Sequence, residues 1–192
     1  MQVSVVGDRG KLKAFLYFSR VKRFTAAFLF FVTMASNCLA QGDESDTAVF
    51  VPYTIDLRGT GFKLNNYSKS PMYFYTLYGK GNPFDFPFPN HFSIIDKTGI
   101  VSNIKDYVDM MIKMSKAGLK VLNSLKEKET EINGYKAYEI SFTGRIDNTF
   151  FKTYMVVLSN GKTTLLFTGR AVDNYDEVIE GFKEIAKTIR IK

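Results

Sequence analysis

The chain has few of the side chains that usually carry enzymatic chemistry. Its 192 residues include one cysteine, Cys38, one histidine, His91, and no tryptophan. A single cysteine cannot form an intrachain disulfide, and a catalytic triad or a typical zinc site needs histidine beside further specific residues. The sequence therefore predicts no catalytic residues, no metal and no cofactor.

His91 is nevertheless the residue around which acid–base or metal-dependent chemistry could be built. Asp85 and Asp96 lie near it in the sequence. A small hydrolase or metal-dependent enzyme that uses His91 with one of these acids is therefore the alternative to a binding protein. It requires His91 to lie in a cleft within reach of a carboxylate. Otherwise we expect a partly exposed structural histidine.

Positive charge is concentrated in the first forty residues. The chain has 26 Lys and Arg against 19 Asp and Glu, and residues 1–40 contain six of these basic residues but only one acid. Residues 41–192 are left with 20 basic and 18 acidic residues, a net charge of +2. Nucleic-acid binding needs a clustered basic surface, so we expect no nucleic-acid partner.

Residues 1–40 are interpreted as a signal peptide. Val21-Lys22-Arg23 is a basic n-region, and residues 24–35 form an uncharged, mostly apolar run that is too short to span a bilayer. Cys38-Leu39-Ala40 places small residues at the −3 and −1 positions of a cleavage site before Gln41. We therefore expect a secreted or periplasmic bacterial protein whose mature form contains no cysteine.

Two alternatives would attach the protein to a membrane. Residues 24–40 could remain as an uncleaved anchor, or Cys38 could carry a lipid as in a lipoprotein. Asn37 is a poor residue to precede a lipidated cysteine, and the apolar run ends early for an anchor. Cleavage is favoured, which leaves a short linker at 41–48 and one domain at 49–192.

Apolar spacing predicts two amphipathic helices. The first extends from Ser102, as its N-cap, to Ala117, with Gly118 at the C-cap. The second is capped by Asp173 and extends to about Ile189. Its buried stripe is predicted to contain Val178, Ile179, Phe182, Ile185, Ala186 and Ile189.

The rest of the domain predicts an antiparallel sheet. Alternating apolar residues and turn signals predict extended segments at 49–57, 72–78, 91–96, 119–131, 135–143, 150–158 and 163–168. Asn133-Gly134 and Asn160-Gly161 are predicted type I′ hairpin turns. This order predicts an α+β fold in which helices pack on an antiparallel β-sheet meander whose faces are both covered.

Residues 71–92 are unusually rich in aromatic residues and proline. Part of this stretch must be a core strand. In the loop after it, prolines restrict the backbone, so that little ordering entropy is lost on binding. Phe84, Phe86 and Phe88, with His91, are therefore the candidate binding residues. The alternative is that the three phenylalanines fold back over the end of the core.

Residues 102–192 resemble the PsbP-like family, which includes the photosystem II extrinsic subunit P and DcrB-like exported bacterial proteins. The resemblance lies in the order of elements: a helix, a strand ending in Glu131-Ile132-Asn133-Gly134-Tyr135-Lys136-Ala137-Tyr138, meander strands at 151–158 and 163–168, and a terminal helix leading into 188–192. It implies an α-β-α sandwich around an antiparallel sheet. It also implies a protein that binds or assists assembly without a shared active site, and it transfers no functional residue.

Together these observations predict an exported, non-enzymatic binding or accessory protein. Its partner is expected to be a protein or a small-molecule ligand, whose identity the sequence leaves open.

Overall fold

The computed structural model describes residues 51–85, 89–118, 120–121, 125–146 and 148–192. The predicted signal peptide, the linker, Phe86 and Phe88 lie outside these residues.

The described residues form ten strands and two helices. Their bounds are β1 (Tyr53–Thr54), β2 (Phe62–Leu64), β3 (Met72–Leu77), β4 (His91–Asp96), α1 (Ile104–Gly118), β5 (Lys120–Val121), β6 (Lys126–Ile132), β7 (Tyr135–Ile146), β8 (Thr149–Ser159), β9 (Thr164–Ala171), α2 (Tyr175–Lys187) and β10 (Arg190–Ile191).

Eight of the strands pair into one antiparallel sheet within the described part of the chain. The order is β2-β3-β4-β9-β8-β7-β5, and β6 pairs with β7 on the same side as β5. The short strands β1 and β10 pair with each other. The predicted α+β class with an antiparallel sheet is confirmed. The strand β2 forms one end of this sheet, which decides where the candidate site lies.

The two helices cover opposite faces of the sheet. In β8, Tyr154, Val156 and Leu158 share a core cluster with α2, whereas the alternate residues Met155 and Val157 share a second cluster with α1. Alternation places successive strand side chains on opposite faces. The expected α-β-α sandwich is therefore confirmed, and the strands are apolar on both faces because both faces are buried.

The side chains of α2 approach the sheet closely at a glycine. All six residues of the predicted stripe lie in the core cluster or pack against it, and the ring of Phe182 lies over Gly169 of β9. A Cβ added at Gly169 would lie 2.7 Å from Cγ of Phe182. The absence of a side chain at this position allows the fully buried ring to contact the strand.

Both predicted helix N-caps are wrong by one residue. The side chain of Asn103, not Ser102, accepts the N–H groups of Lys105 (2.9 Å) and Asp106 (3.4 Å). At the second helix, Asn174 is the N-cap, with φ 42° and no side-chain capping bond. The Asp173 carboxylate instead accepts the amide of Asn90, which joins the start of α2 to the loop before β4.

The predicted first strand is also much shorter than expected. Of residues 49–57, the structure describes 51–57, and only Tyr53–Thr54 form a strand. Their backbone neighbours bond to the end of the chain: Lys192 N–H donates to the Pro52 carbonyl (3.0 Å) and Asp56 N–H to the Thr188 hydroxyl (3.0 Å). These contacts with the C-terminal residues replace pairing with the main sheet.

The two predicted hairpin turns differ in outcome. Asn133 and Gly134 have φ of 52° and 82°, as a type I′ turn requires. At the second turn Asn160 N–H donates to the Thr163 carbonyl (3.2 Å), so Gly161 and Lys162 are the central pair and only Gly161 has a positive φ, 87°. The type I′ prediction at Asn160-Gly161 is therefore wrong.

Candidate functional site

Exposed large hydrophobic side chains are concentrated at the β2 end of the sheet. Within the described residues eight such side chains are exposed, and five belong to β2, β3 or the loops that follow them. These five, which we call the aromatic edge, are Leu64 (39% exposed), Tyr67 (48%), Leu77 (45%), Tyr78 (68%) and Phe84 (40%). Isolated exposed hydrophobic residues are ordinary, but a concentration of them marks a binding surface.

The two leucines of the aromatic edge lie on the α2 face of the sheet. Leu64 pairs with Tyr75 across β2 and β3, and Leu77 pairs with Phe62. Directly opposed residues in an antiparallel pair point to the same face. Tyr75 and Phe62 belong to the cluster around α2, so Leu64 and Leu77 extend this cluster outward to the rim of the sheet.

Phe84, one of the predicted binding residues, lies against the opposite face. Its ring meets Phe74 of β3 at a centroid distance of 5.0 Å and Tyr67 at 6.3 Å, both edge-to-face. Phe84 thus packs on the sheet and still presents part of its ring to solvent. Phe86 and Phe88 lie outside the described residues, so their role stays a prediction.

The buried side chain of Asn65 holds the loops of the aromatic edge together. Its amide nitrogen donates to Thr76 Oγ1 (2.9 Å) and to the carbonyls of Gly79 (3.1 Å) and Gly81 (2.9 Å). Its oxygen accepts the N–H of Tyr67 (2.9 Å). Asn65 is 2% exposed, so these bonds replace water that the amide would otherwise need. One side chain therefore positions the loops that carry Tyr67 and Tyr78.

Tyr78 is presented by a turn with unusual backbone geometry. It has φ 57°, and Gly79 and Gly81 have φ of 71° and 82°. A positive φ is uncommon for a tyrosine and persists where surrounding bonds enforce it. Here the Tyr78 N–H donates to the Gly61 carbonyl (2.8 Å). A Cβ at Gly79 would lie 3.1 Å from the Leu64 carbonyl oxygen, so the turn packs directly on β2.

His91, which the sequence suggested as a binding residue or as the centre of acid–base chemistry, is buried. It is 8% exposed, and its Nδ1 donates to the carbonyl of Pro89 (2.8 Å). Burial, followed by the charge of Arg170, lowers the pKa of His91 to about 4. His91 lies between Thr76 and Arg170 in a row across the sheet. The expected partly exposed histidine is therefore wrong: the ring is enclosed and neutral at physiological pH.

The two acids proposed to act with His91 make other contacts. Asp96 lies on the same strand five residues away, so its side chain points to the other face, and it accepts the N–H of Thr98 (2.8 Å). The Asp85 carboxylate accepts the amide of Asn82 (2.9 Å). Burial and Arg170, not a carboxylate, set the pKa of His91. Within the described ranges, no three His, Cys, Asp or Glu side chains gather as metal ligands would.

Several residues of the aromatic edge were missed by sequence reasoning. Tyr67 follows a three-residue strand that the sequence did not predict, and Tyr78 had been assigned to the end of a core strand. The available signal was Gly79-Lys80-Gly81, a pair of glycines at which a tight turn would expose the preceding residue. Asn65 gave no local signal, because its partners lie up to 16 residues away.

The comparisons with known sequences are negative. No known protein family matches the chain, and no curated protein matches its sequence.

The comparison with solved structures found one, LpqN, that shares the fold and two that are less similar. LpqN of Mycobacterium tuberculosis, described as involved in cell envelope biogenesis, is similar with a TM-score of 0.52 at 16% identity, over 80% of this chain and 88% of LpqN. PA94 of Pseudomonas aeruginosa, a protein of unknown function, has a TM-score of 0.47 at 13% identity, over 80% of this chain and 96% of PA94. The PsbP protein CyanoP of Synechocystis sp. PCC 6803 has a TM-score of 0.43 at 12% identity, over 79% of this chain and 98% of CyanoP.

The class of protein defined by these findings is an α+β sandwich with the fold of LpqN. At 16% identity this similarity concerns the fold, and membership of the PsbP-like family stays a prediction. Among the described residues, neither helix combines the length and the apolar character needed to cross a bilayer.

Proposed function

We propose that the chain is an exported, non-enzymatic accessory protein that binds a partner in the cell envelope through the aromatic edge. The observation that carries this proposal is the concentration of five exposed hydrophobic side chains at one end of the sheet, braced by the buried amide of Asn65. Such a surface loses little conformational entropy on binding.

The state of His91 supports binding over catalysis. A general base works best when its pKa lies near the operating pH and when it can reach a substrate. His91 is enclosed, its Nδ1 is occupied by a backbone carbonyl, and its pKa is lowered to about 4. The envelope location comes from the predicted signal peptide, and LpqN, which shares the fold, is described as involved in cell envelope biogenesis.

Site-specific photo-crosslinking in the source bacterium tests the proposal. A benzophenone amino acid is placed at Tyr67 or Tyr78, and as matched controls at Ile100 or Phe150, which are exposed hydrophobic residues outside the aromatic edge. We expect adducts, with one protein or with membrane lipid, from positions 67 and 78 only. An adduct pattern that is equal at all four positions, or no adduct at 67 and 78, overturns the proposal.

A further inference from the structure

Positive charge surrounds the aromatic edge. Residues 56–85 contain four basic and two acidic side chains, and Asp56 is bound by Arg58 at 2.6 Å. Lys63, Lys69 and Lys80 are all exposed. None of them takes part in the ion pairs found between described residues.

One acid in this stretch, Asp85, offsets part of this charge. Its carboxylate accepts the amide of Asn82 at 2.9 Å, and a neutral amide leaves the negative charge in place. Because Asp56 and Arg58 balance each other, the three lysines against Asp85 leave a net charge of +2 in residues 56–85. Lys63 pairs with Thr76 of β3 and points to the same face of the sheet. Phe74, two residues before Thr76, also points to this face, and the ring of Phe84 packs on it.

We infer that the aromatic edge binds the surface of an anionic lipid bilayer. Tyrosine and phenylalanine rings suit the headgroup level of a membrane, where their apolar bodies leave water and a phenol can stay hydrated. Lysines beside them attract anionic lipids. This inference rests on the proposed function and names the chemistry of its partner.

The placement of the apolar groups favours a bilayer over a folded protein partner. Leu64 and Leu77 lie on the α2 face of the last strands, whereas Phe84 and Tyr67 lie on the α1 face. A rigid partner that packs on one face leaves the other face in water. A fluid interface can surround the rim of the sheet and accept side chains from both faces at once.

The test uses the full chain with a local reporter at the aromatic edge. In the C38S background, an environment-sensitive dye is attached to N66C, which is exposed next to Tyr67, or to I100C as the control position. The protein is mixed with vesicles of phosphatidylglycerol and phosphatidylethanolamine in equal parts, or of phosphatidylcholine alone. Each dye reports the surroundings of its own position, so vesicle contact made through residues 1–40 alone should not produce a blue shift confined to position 66.

We expect a blue shift of the dye at position 66, and none at position 100, with the anionic vesicles only. The triple variant K63Q/K69Q/K80Q should weaken vesicle binding roughly tenfold or more, since each lysine near an anionic surface adds to the attraction. The control K113Q/K116Q/K162Q removes the same charge from exposed positions elsewhere and should bind as the unmodified protein does.

The other outcomes overturn the inference in distinguishable ways. If position 66 shows no shift with anionic vesicles while positions 67 and 78 crosslink a protein in cells, the edge binds a protein and the proposed function stands. An equal shift at positions 66 and 100, or equal losses in the two lysine variants, excludes lipid binding by this edge. If no crosslink forms either, the proposed function fails with it.

Discussion

Gly169 and Phe182 set the distance between α2 and the sheet. The ring of Phe182 is fully buried and occupies the space that a side chain at position 169 would need. Gly181, on the same helix, is exposed and has nothing within 4 Å of an added Cβ. The two glycines therefore provide a matched pair for testing the packing.

Gly169→Ala should lower the free energy of unfolding by about 1–3 kcal/mol, because the ring or the strand must shift to admit the methyl group. Gly181→Ala should raise it by up to about 1 kcal/mol, because glycine is a poor helix former. Urea unfolding followed by circular dichroism measures both. Equal effects of the two substitutions would mean that Phe182 does not pack on Gly169 as described.

His91 should make stability depend on pH. The pKa of His91 is lowered from 6.5 to about 4 by burial and by Arg170, so between these values the unfolded chain binds a proton that the folded protein does not. The contribution of neutral His91 to the free energy of unfolding is therefore fully present above about pH 6.5. It is lost as the pH decreases toward 4, by on the order of 3 kcal/mol. The control is His91→Gln, which cannot titrate.

Unfolding free energies measured from pH 7 to pH 4 should consequently decrease more steeply for the unmodified protein than for His91→Gln. The carboxylates that also titrate in this range contribute equally to both proteins. Parallel curves would contradict the buried, neutral state of His91.

At the scale of elements, the start of α1 depends on one amide side chain. Asn103 accepts two backbone N–H groups of the first turn, and among the bonds found between described residues Ser102 accepts none of them. Asn103→Ala should cost about 1 kcal/mol of stability, and Ser102→Ala should be close to neutral. Thermal unfolding measures both variants. A larger loss of stability for Ser102→Ala than for Asn103→Ala would indicate that Ser102 is the N-cap.

Elements with a repeated pattern could be predicted from the sequence, whereas those made by distant contacts could not. The apolar stripe from Val178 to Ile189 repeats with the helical period, and its burial was predicted correctly, although Ile189 lies just beyond the end of α2. The strand Phe62–Leu64 is too short for any period and forms because β3 pairs with it. Of the predicted extended segment 119–131, the described parts Lys120–Val121 and residues 126–131 are both strand and both pair with β7.

The candidate site could be predicted only in part, because much of it also depends on contacts between residues that are distant in the sequence. Phe84 was selected because prolines and aromatic residues mark its loop; it is 40% exposed and also packs on Phe74, and its role in binding stays a prediction. The exposure of Tyr67 and Tyr78 depends on β2 being the last strand of the sheet, which is a property of the complete strand order. His91 is buried because two neighbouring strands and Pro89 enclose it, and the local sequence carries no sign of this.

At the scale of the whole molecule, the account depends on export. We expect the protein purified from the source bacterium to begin at Gln41, because Cys38-Leu39-Ala40 fits a cleavage site. Mass spectrometry of the intact protein and its N-terminal peptide measures this. A lipid on Cys38 would indicate a lipoprotein, and a chain that keeps residues 24–40 would indicate an anchored protein.

Complementation tests most directly whether the protein works by binding through the aromatic edge and not by chemistry at His91. Cells lacking the gene receive the unmodified protein, His91→Gln, the edge variant Y67S/Y78S/F84S or the control variant I100S/M110S/F150S, at equal levels confirmed by immunoblot. Envelope integrity in detergent is then measured. We predict that only the edge variant fails to restore it. Failure of His91→Gln together with full activity of the edge variant would contradict the account.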